Sequence, residues 1–89
     1  MATDGIRNST VAVTGGAGLI GSSLVEQLLN REKKVVVIDD FSKGCKENLD
    51  PWLNKIEVRE GDLEDKRFSL EALDGCDIVY HLACRAYGI

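Results

Sequence analysis

Short aliphatic runs and amphipathic stretches take turns along this chain. Ser9 to Thr14 is a β-branched run that passes straight into Gly15-Gly16-Ala17-Gly18, a cluster that a strand interior does not tolerate, so a first strand is predicted to stop there. Ile20, Leu24, Val25, Leu28 and Leu29 then recur at three- and four-residue spacing with Glu26, Gln27 and Asn30 between them, which predicts a helix over about Gly18 to Arg31 with one apolar face. Lys34 to Asp39 is a continuous apolar run closed by acids, the pattern of a strand covered on both faces. Gly44, Asn48, Asp50 and Pro51 break up the segment from Phe41 to Asn54, which reads as a loop with room for one helical turn. Ile56 and Val58 alternate with Glu57 and Arg59 ahead of Gly61, predicting a half-covered third strand near a sheet edge. Asp65 is placed to cap a second helix with Phe68, Ala72 and Leu73 on its apolar side; Leu70 fits that side less well, and Gly75 stands where helices commonly end. Ile78 to Ala83 returns to strand composition.

The order βα, β, loop, β, α, β carries no internal repeat and predicts parallel strands joined by right-handed crossovers. The fold class is therefore α/β, the N-terminal part of a Rossmann-type doubly wound parallel sheet of four strands in the order 3-2-1-4. With 89 residues the chain holds at most one folding unit. Its composition, 44% hydrophobic and 29% charged with one Pro, excludes collagen-like and disordered classes. Eleven basic against fifteen acidic residues leave no cationic surplus, which disfavours nucleic-acid binding. The longest aliphatic run, Val35 to Ile38, is far short of the ~20 residues that cross a bilayer, and the start of the chain has neither a signal nor a transit pattern. A cytoplasmic protein without a membrane partner is expected. Cys45, Cys76 and Cys84 form no Cys-x-x-Cys pair, so reduced thiols are expected and neither a disulfide framework nor a metal site.

Candidate chemistry concentrates in Thr14-Gly15-Gly16-Ala17-Gly18-Leu19-Ile20-Gly21, which satisfies Gly-x-Gly-x-x-Gly from Gly16 and Gly-x-x-Gly-x-x-Gly from Gly15. Three glycines in a turn carry little information alone. Here they follow a strand and open an amphipathic helix, and Asp39 ends the next strand 18 residues beyond Gly21, the arrangement a dinucleotide site requires. A helix start presents unpaired N–H donors and partial positive charge, where a diphosphate docks if no side chain blocks it. Gly15 is expected to supply the tight turn, Gly18 the close approach of backbone to diphosphate, and Gly21 the close packing of helix on sheet. Asp39 is the candidate acceptor for two ribose hydroxyls, and with Asp40 beside it a 2′-phosphate would be repelled, which favours NAD over NADP, although Lys43 and Lys46 soften the argument. The bland readings are a merely tight connection for the glycines and a solvated strand end for Asp39.

The sequence resembles the extended short-chain dehydrogenase/reductase family, in particular the NAD-dependent epimerase/dehydratase group that acts on nucleotide sugars. The resemblance runs from Val11 to Ala86 and rests on the glycine loop, on Val37-Ile38-Asp39-Asp40-Phe41-Ser42-Lys43-Gly44 with Glu47-Asn48-Leu49 after it, on Gly61-Asp62-Leu63, and on Val79-Tyr80-His81-Leu82-Ala83. It implies that Gly15, Gly18 and Gly21, with Leu19 and Ile20, form the diphosphate loop of an NAD site. It further implies that Asp39 binds ribose, that Asp40, Phe41, Ser42 and Lys43 line the adenosine, that Asp62 and Leu63 bracket the adenine, and that Leu82, Ala83 and Cys84 pass under the nicotinamide ribose. Arg85 and Ala86 stand where galactose-type epimerases have an aliphatic residue and a lysine. On local physics alone, Asp62 caps a turn, Leu63 and Cys84 are core residues, Trp52 packs over a loop and His81 is a satisfied structural imidazole.

Family catalysis uses a Tyr-x-x-x-Lys pair, which neither Tyr80 nor Tyr87 supplies. Residues 1–89 are therefore expected to be a partial NAD-binding domain, with the catalytic and sugar-binding parts beyond them, inactive alone and with an apolar edge on the fourth strand. The whole protein is implied to be a homodimer taking a nucleotide-diphosphate sugar. Two other readings stay open: a non-catalytic dinucleotide sensor of the same fold, and a methyltransferase-type site, against which the Thr-Gly-Gly-Ala-Gly-Leu-Ile-Gly run argues.

Overall fold

The computed structural model describes residues 9–83. Strands β1 (Thr10–Thr14), β2 (Lys34–Asp39), β3 (Ile56–Glu60) and β4 (Ile78–His81) form one parallel sheet in the order β3-β2-β1-β4, as the sequence predicts. Helix α1 (Leu19–Asn30) joins β1 to β2, and helix α2 (Lys66–Leu73) joins β3 to β4. Between β2 and β3, where the sequence reads as loop, lies a 3-10 helix, Lys46–Trp52, with Pro51 inside it.

The continuous apolar runs of β1 and β2 follow from burial on both faces. Val11, Val13, Val35 and Val37 point to one side, where they meet Val25 and Leu28 of α1 and Leu49 of the 3-10 helix, with Phe41, Trp52 and Ile56 packed around them. Ala12, Val36 and Ile38 point to the other side, against Ala72 of α2 and the half-buried Leu63, Phe68 and Leu73. Alternation of side chains along a strand gives each run two cores to fill, so no polar position can be spared within it. The outer strands have less cover. Val58 on β3 is exposed, and all four residues of β4 are exposed, Ile78, Val79 and Tyr80 included, which is the apolar edge expected of the fourth strand.

Helix ends are set by local chemistry. The Asp65 carboxylate accepts from the N–H groups of Arg67 and Phe68 and so starts α2 as predicted. At the other end Arg59 Nη1 donates to the carbonyls of Ala72 (2.6 Å) and Asp74 (3.2 Å), tying β3 to the close of α2; its hydrogen bond with Glu57 raises the guanidinium pKa above the usual value. Beside it, burial pushes the Cys76 thiol up from its ordinary value. β4 is then started by a reciprocal pair: Asp77 N–H donates to the Thr10 carbonyl (2.8 Å), and Thr10 N–H to Asp77 Oδ2 (2.9 Å). One expectation for α1 fails. Ile20, in the first turn of α1 next to the glycine loop, does not join the core face of the helix but is 78% exposed.

Two glycines separate space from backbone conformation as sources of strain. A Cβ on Gly21 would lie 2.3 Å from the Gly15 carbonyl oxygen, whereas Gly75 has open space but a φ of +78°. Gly21→Ala is expected to destabilise by about 1–3 kcal/mol through overpacking, and Gly75→Ala by about 1–2 kcal/mol through its left-handed backbone. Urea midpoints check both, and Gly75→Asn should recover most of the second loss because Asn tolerates that conformation.

Candidate functional site

All four strands point the same way, so the segments that leave β1, β2 and β4 emerge at one end of the sheet. Successive connections run from β1 towards β2 and β3, and the chain then returns to place β4 on the other side of β1. Crevices at such a switch point, beyond the carboxyl ends of the strands, are where open α/β sheets bind ligands.

The glycine loop leaves β1 in a turn that only glycine fits. Gly15 has φ +71°, and a Cβ there would meet Ala83 N at 2.9 Å, so the loop lies directly against the exit of β4. Gly16 is closed off by the Val37 side chain at 2.8 Å. Gly21 packs on the backbone of Gly15 and Gly16, so it brings the start of α1 against the loop where it leaves β1. Gly18 differs from all three. A Cβ there would find only the Gly15 carbonyl, at 3.4 Å, so the space in front of Gly18 is open. Gly18 is also the N-cap of α1; no side-chain hydrogen bond caps the helix and no acid sits in its first turn. The start of α1 thus keeps its donor character for something outside the chain.

Thr14 fixes the opposite wall. Its buried hydroxyl oxygen accepts from the N–H groups of Leu82 (3.0 Å) and Ala83 (3.2 Å) and lies 2.8 Å from His81 Nδ1. The hydroxyl and Nδ1 form one hydrogen bond, its direction set by the tautomer of the ring. His81 is thus a satisfied side chain, as local physics suggests, though an exposed one on the edge strand.

Asp39 closes the third side. Oδ2 accepts from Ala17 N–H (3.0 Å) and Oδ1 from Phe41 N–H (2.9 Å), so the carboxylate bridges the glycine loop and the exit of β2. It is not a free strand end. The exposed Asp40 accepts from the N–H and hydroxyl of Ser42 (3.0 and 2.8 Å).

These walls enclose a cavity of about 170 Å³ lined by Gly15, Gly18, Asp39, Asp40, Ser42, Lys43, Gly44, Leu82 and Ala83. A shallower, more apolar hollow of about 410 Å³ shares Gly15, Gly18 and Leu82 with it and adds Leu19, Ile20 and Gly21. Lys46 turns away from this space, pairing with Glu60 (3.2 Å) and lying 5.0 Å from the centre of the Phe41 ring. Among the described residues, no cluster of three or more His, Cys, Asp or Glu could hold a metal ion, and no helix is long and apolar enough to cross a membrane.

Of the site residues expected from the sequence, the structure gathers Gly15, Gly18, Leu19, Ile20, Gly21, Asp39, Asp40, Ser42, Lys43, Leu82 and Ala83 around the cleft. Phe41 does not line it. With φ +59° the residue turns its ring onto the core beside α1. Asp62 and Leu63 also stand outside the cavity lining: Asp62 accepts from Glu64 N–H (2.9 Å) in a tight turn, and Leu63 packs against the core beside α2. Cys84, Arg85 and Ala86 lie outside the described residues. Sequence reasoning names Gly44 and Asn48 only as loop breakers and motif residues and gives neither a place at the site; the absent Cβ of Gly44 would fall 2.6 Å from the carbonyl carbon of Ala17, and the Asn48 side-chain amide donates to the Ala17 oxygen at 2.8 Å.

Comparison with known proteins agrees with this geometry. The sequence profile of the NAD dependent epimerase/dehydratase family matches residues 11–88. UDP-glucuronic acid decarboxylase 6 of Arabidopsis thaliana is 42% identical over 82 residues, covering 89% of this chain and 22% of that protein. Among solved structures, a Bordetella bronchiseptica enzyme in complex with NAD superposes with a TM-score of 0.80 at 32% identity, covering 91% of this chain and 26% of that one. UDP-glucose 4-epimerase of Thermus thermophilus, also in complex with NAD, gives 0.76 at 38% identity, with 86% and 24% covered. The chain therefore spans roughly a quarter of the length of these proteins. With the profile running through β1 to β4 and the parallel order β3-β2-β1-β4 behind it, the chain belongs to the NAD-dependent epimerase/dehydratase family.

Proposed function

We propose that residues 1–89 form the NAD-binding part of an enzyme that carries out epimerase/dehydratase-type chemistry on a nucleotide-diphosphate sugar. The observation that carries this reading is the pairing of an uncapped helix start, open at Gly18, with a carboxylate at the next strand end, both facing one cavity. A diphosphate suits the helix start. Each Asp39 oxygen accepts one backbone N–H and keeps capacity for a ribose hydroxyl, since a carboxylate offers about four acceptor sites. The pair Asp39 and Asp40 opposes a 2′-phosphate, and the turning away of Lys46 leaves Lys43 as the cation on the cavity wall among the described residues.

NAD, when bound, supplies a hydride acceptor and donor; what this chain contributes is binding and orientation. Leu19 and Ile20 present apolar side chains beside the opening, and Leu82 and Ala83 form the wall at the β4 exit, towards the nicotinamide side in this reading. Asp62 and Leu63 retain their expected place beside the adenine, supported by the family resemblance. The name of the Arabidopsis relative supports a UDP-sugar as substrate. A homodimer rests on the same resemblance, and a cytoplasmic setting is supported by the free thiols of Cys45 and Cys76.

Calorimetric titration with NAD, NADP and S-adenosyl methionine tests the reading. NAD should bind and NADP should bind on the order of a hundredfold more weakly, from charge repulsion at the ribose; preference for S-adenosyl methionine would overturn it. Asp39→Ala should weaken NAD, narrow its advantage over NADP, and lower stability by about 1–3 kcal/mol because Ala17 and Phe41 N–H groups lose their acceptor. Asp39→Asn keeps one acceptor oxygen but sets its NH2 against the other N–H, so it should restore at most part of the stability and none of the discrimination. Gly18→Ala makes the converse separation: stability should stay within about 0.5 kcal/mol of the parent, while NAD affinity falls by about tenfold or more. An unchanged affinity would place the diphosphate elsewhere.

A further inference from the structure

Ala17 is held through both of its peptide groups by residues outside the glycine loop. It is fully buried. Its N–H donates to Asp39 Oδ2 (3.0 Å), and its carbonyl accepts both from Asn48 Nδ2 (2.8 Å) and from Cys45 N–H (3.2 Å). Gly44 lies so close over the same carbonyl that a Cβ would sit 2.7 Å from its oxygen. The peptide plane that Asn48 grips is the one joining Ala17 to Gly18, and Gly18 is the open N-cap at which α1 begins. Asn48 itself does not line the cavity: it is half-buried in the 3-10 helix, next to the fully buried Leu49, which anchors that helix in the core.

We infer that Asn48 is a positioning residue for the cofactor diphosphate: through the Ala17 carbonyl it holds the Ala17–Gly18 peptide at the tilt that aims the first turn of α1 into the cleft. The inference rests on the NAD reading above and extends it to a residue outside the cavity. Its physical basis is preorganisation. An unheld loop must be ordered when ligand arrives, at a cost of about 1–2 kcal/mol per residue fixed, and a loop already held in the bound shape avoids that cost. Cys45 N–H is a backbone donor and cannot be removed by changing its side chain, so Asn48 is the part of this clamp that the sequence controls. The 3-10 helix between β2 and β3 thereby acquires a task beyond covering the core.

The test compares ligands with and without a diphosphate on the same protein. For Asn48→Ala, affinity for NAD and for ADP should fall about five- to tenfold, the worth of one hydrogen bond to a buried carbonyl, while affinity for adenosine, read by ligand-detected NMR, should change less than about twofold. Equal losses for all three ligands would show a merely structural role, and unchanged NAD binding would show none; either result overturns the inference. The isosteric Asn48→Asp keeps the shape and presents an acceptor to the carbonyl, so its loss for NAD and ADP should be at least as large, again sparing adenosine. Should both variants fail to fold, the parent protein still decides: the Asn48 side-chain amide protons should exchange far more slowly than those of the exposed Asn54 and slow further with NAD, and exchange at the Asn54 rate would overturn the inference. Failure of the parent to bind NAD at all would instead count against the function proposed above.

Discussion

The carboxylate of Asp39 is the point on which the nucleotide end of this fold depends. Two chain segments that are distant in sequence, the exit of β1 and the exit of β2, each bring one backbone N–H to it. Both donors lie where no strand or helix bond can satisfy them, and buried amides left unpaired are costly. One acidic side chain therefore settles two local problems and fixes the distance between loop and strand end. The ligand-facing geometry follows from that distance. Gly15 can then lie on Ala83, Gly44 on Ala17, and Gly18 at the open mouth between them.

This arrangement also explains why the glycines are not equivalent. Three of the glycines that build the site are crowded by other parts of the chain, Gly15 and Gly44 by backbone of neighbouring loops and Gly21 by backbone of its own loop. Their missing side chains are a requirement of folding. Gly18 alone in the loop faces space, so its missing side chain has no comparable structural cause. A motif written as evenly weighted glycines hides a division of labour that the surroundings of each glycine make explicit.

Much of the architecture was legible in the sequence because burial on two faces leaves a strong signature. The unbroken run Val35 to Ile38 and the caged run Val11 to Val13 fill two separate cores, and nothing but a covered parallel strand makes that demand. Asp65 as a helix cap and Gly75 as a terminator were equally readable, since each acts through atoms within a few residues. The site was legible as far as it is local, in the glycine spacing and the acid ending β2. What escaped were contacts between segments. That Phe41 turns inward at positive φ, that Gly21 packs on its own loop, and that Asn48 reaches 31 residues back to Ala17 depend on how the 3-10 helix lies over the loop, and no periodicity encodes that.

The hydroxyl of Thr14 has an outcome reaching to the outer surface of the molecule. Because it takes the amide hydrogens of Leu82 and Ala83 and bonds to His81 Nδ1, one oxygen at the end of β1 joins the rim of the cleft to the exposed imidazole on the β4 edge. Whatever comes to lie alongside the β4 edge at that height therefore meets a ring already tied to the wall of the site.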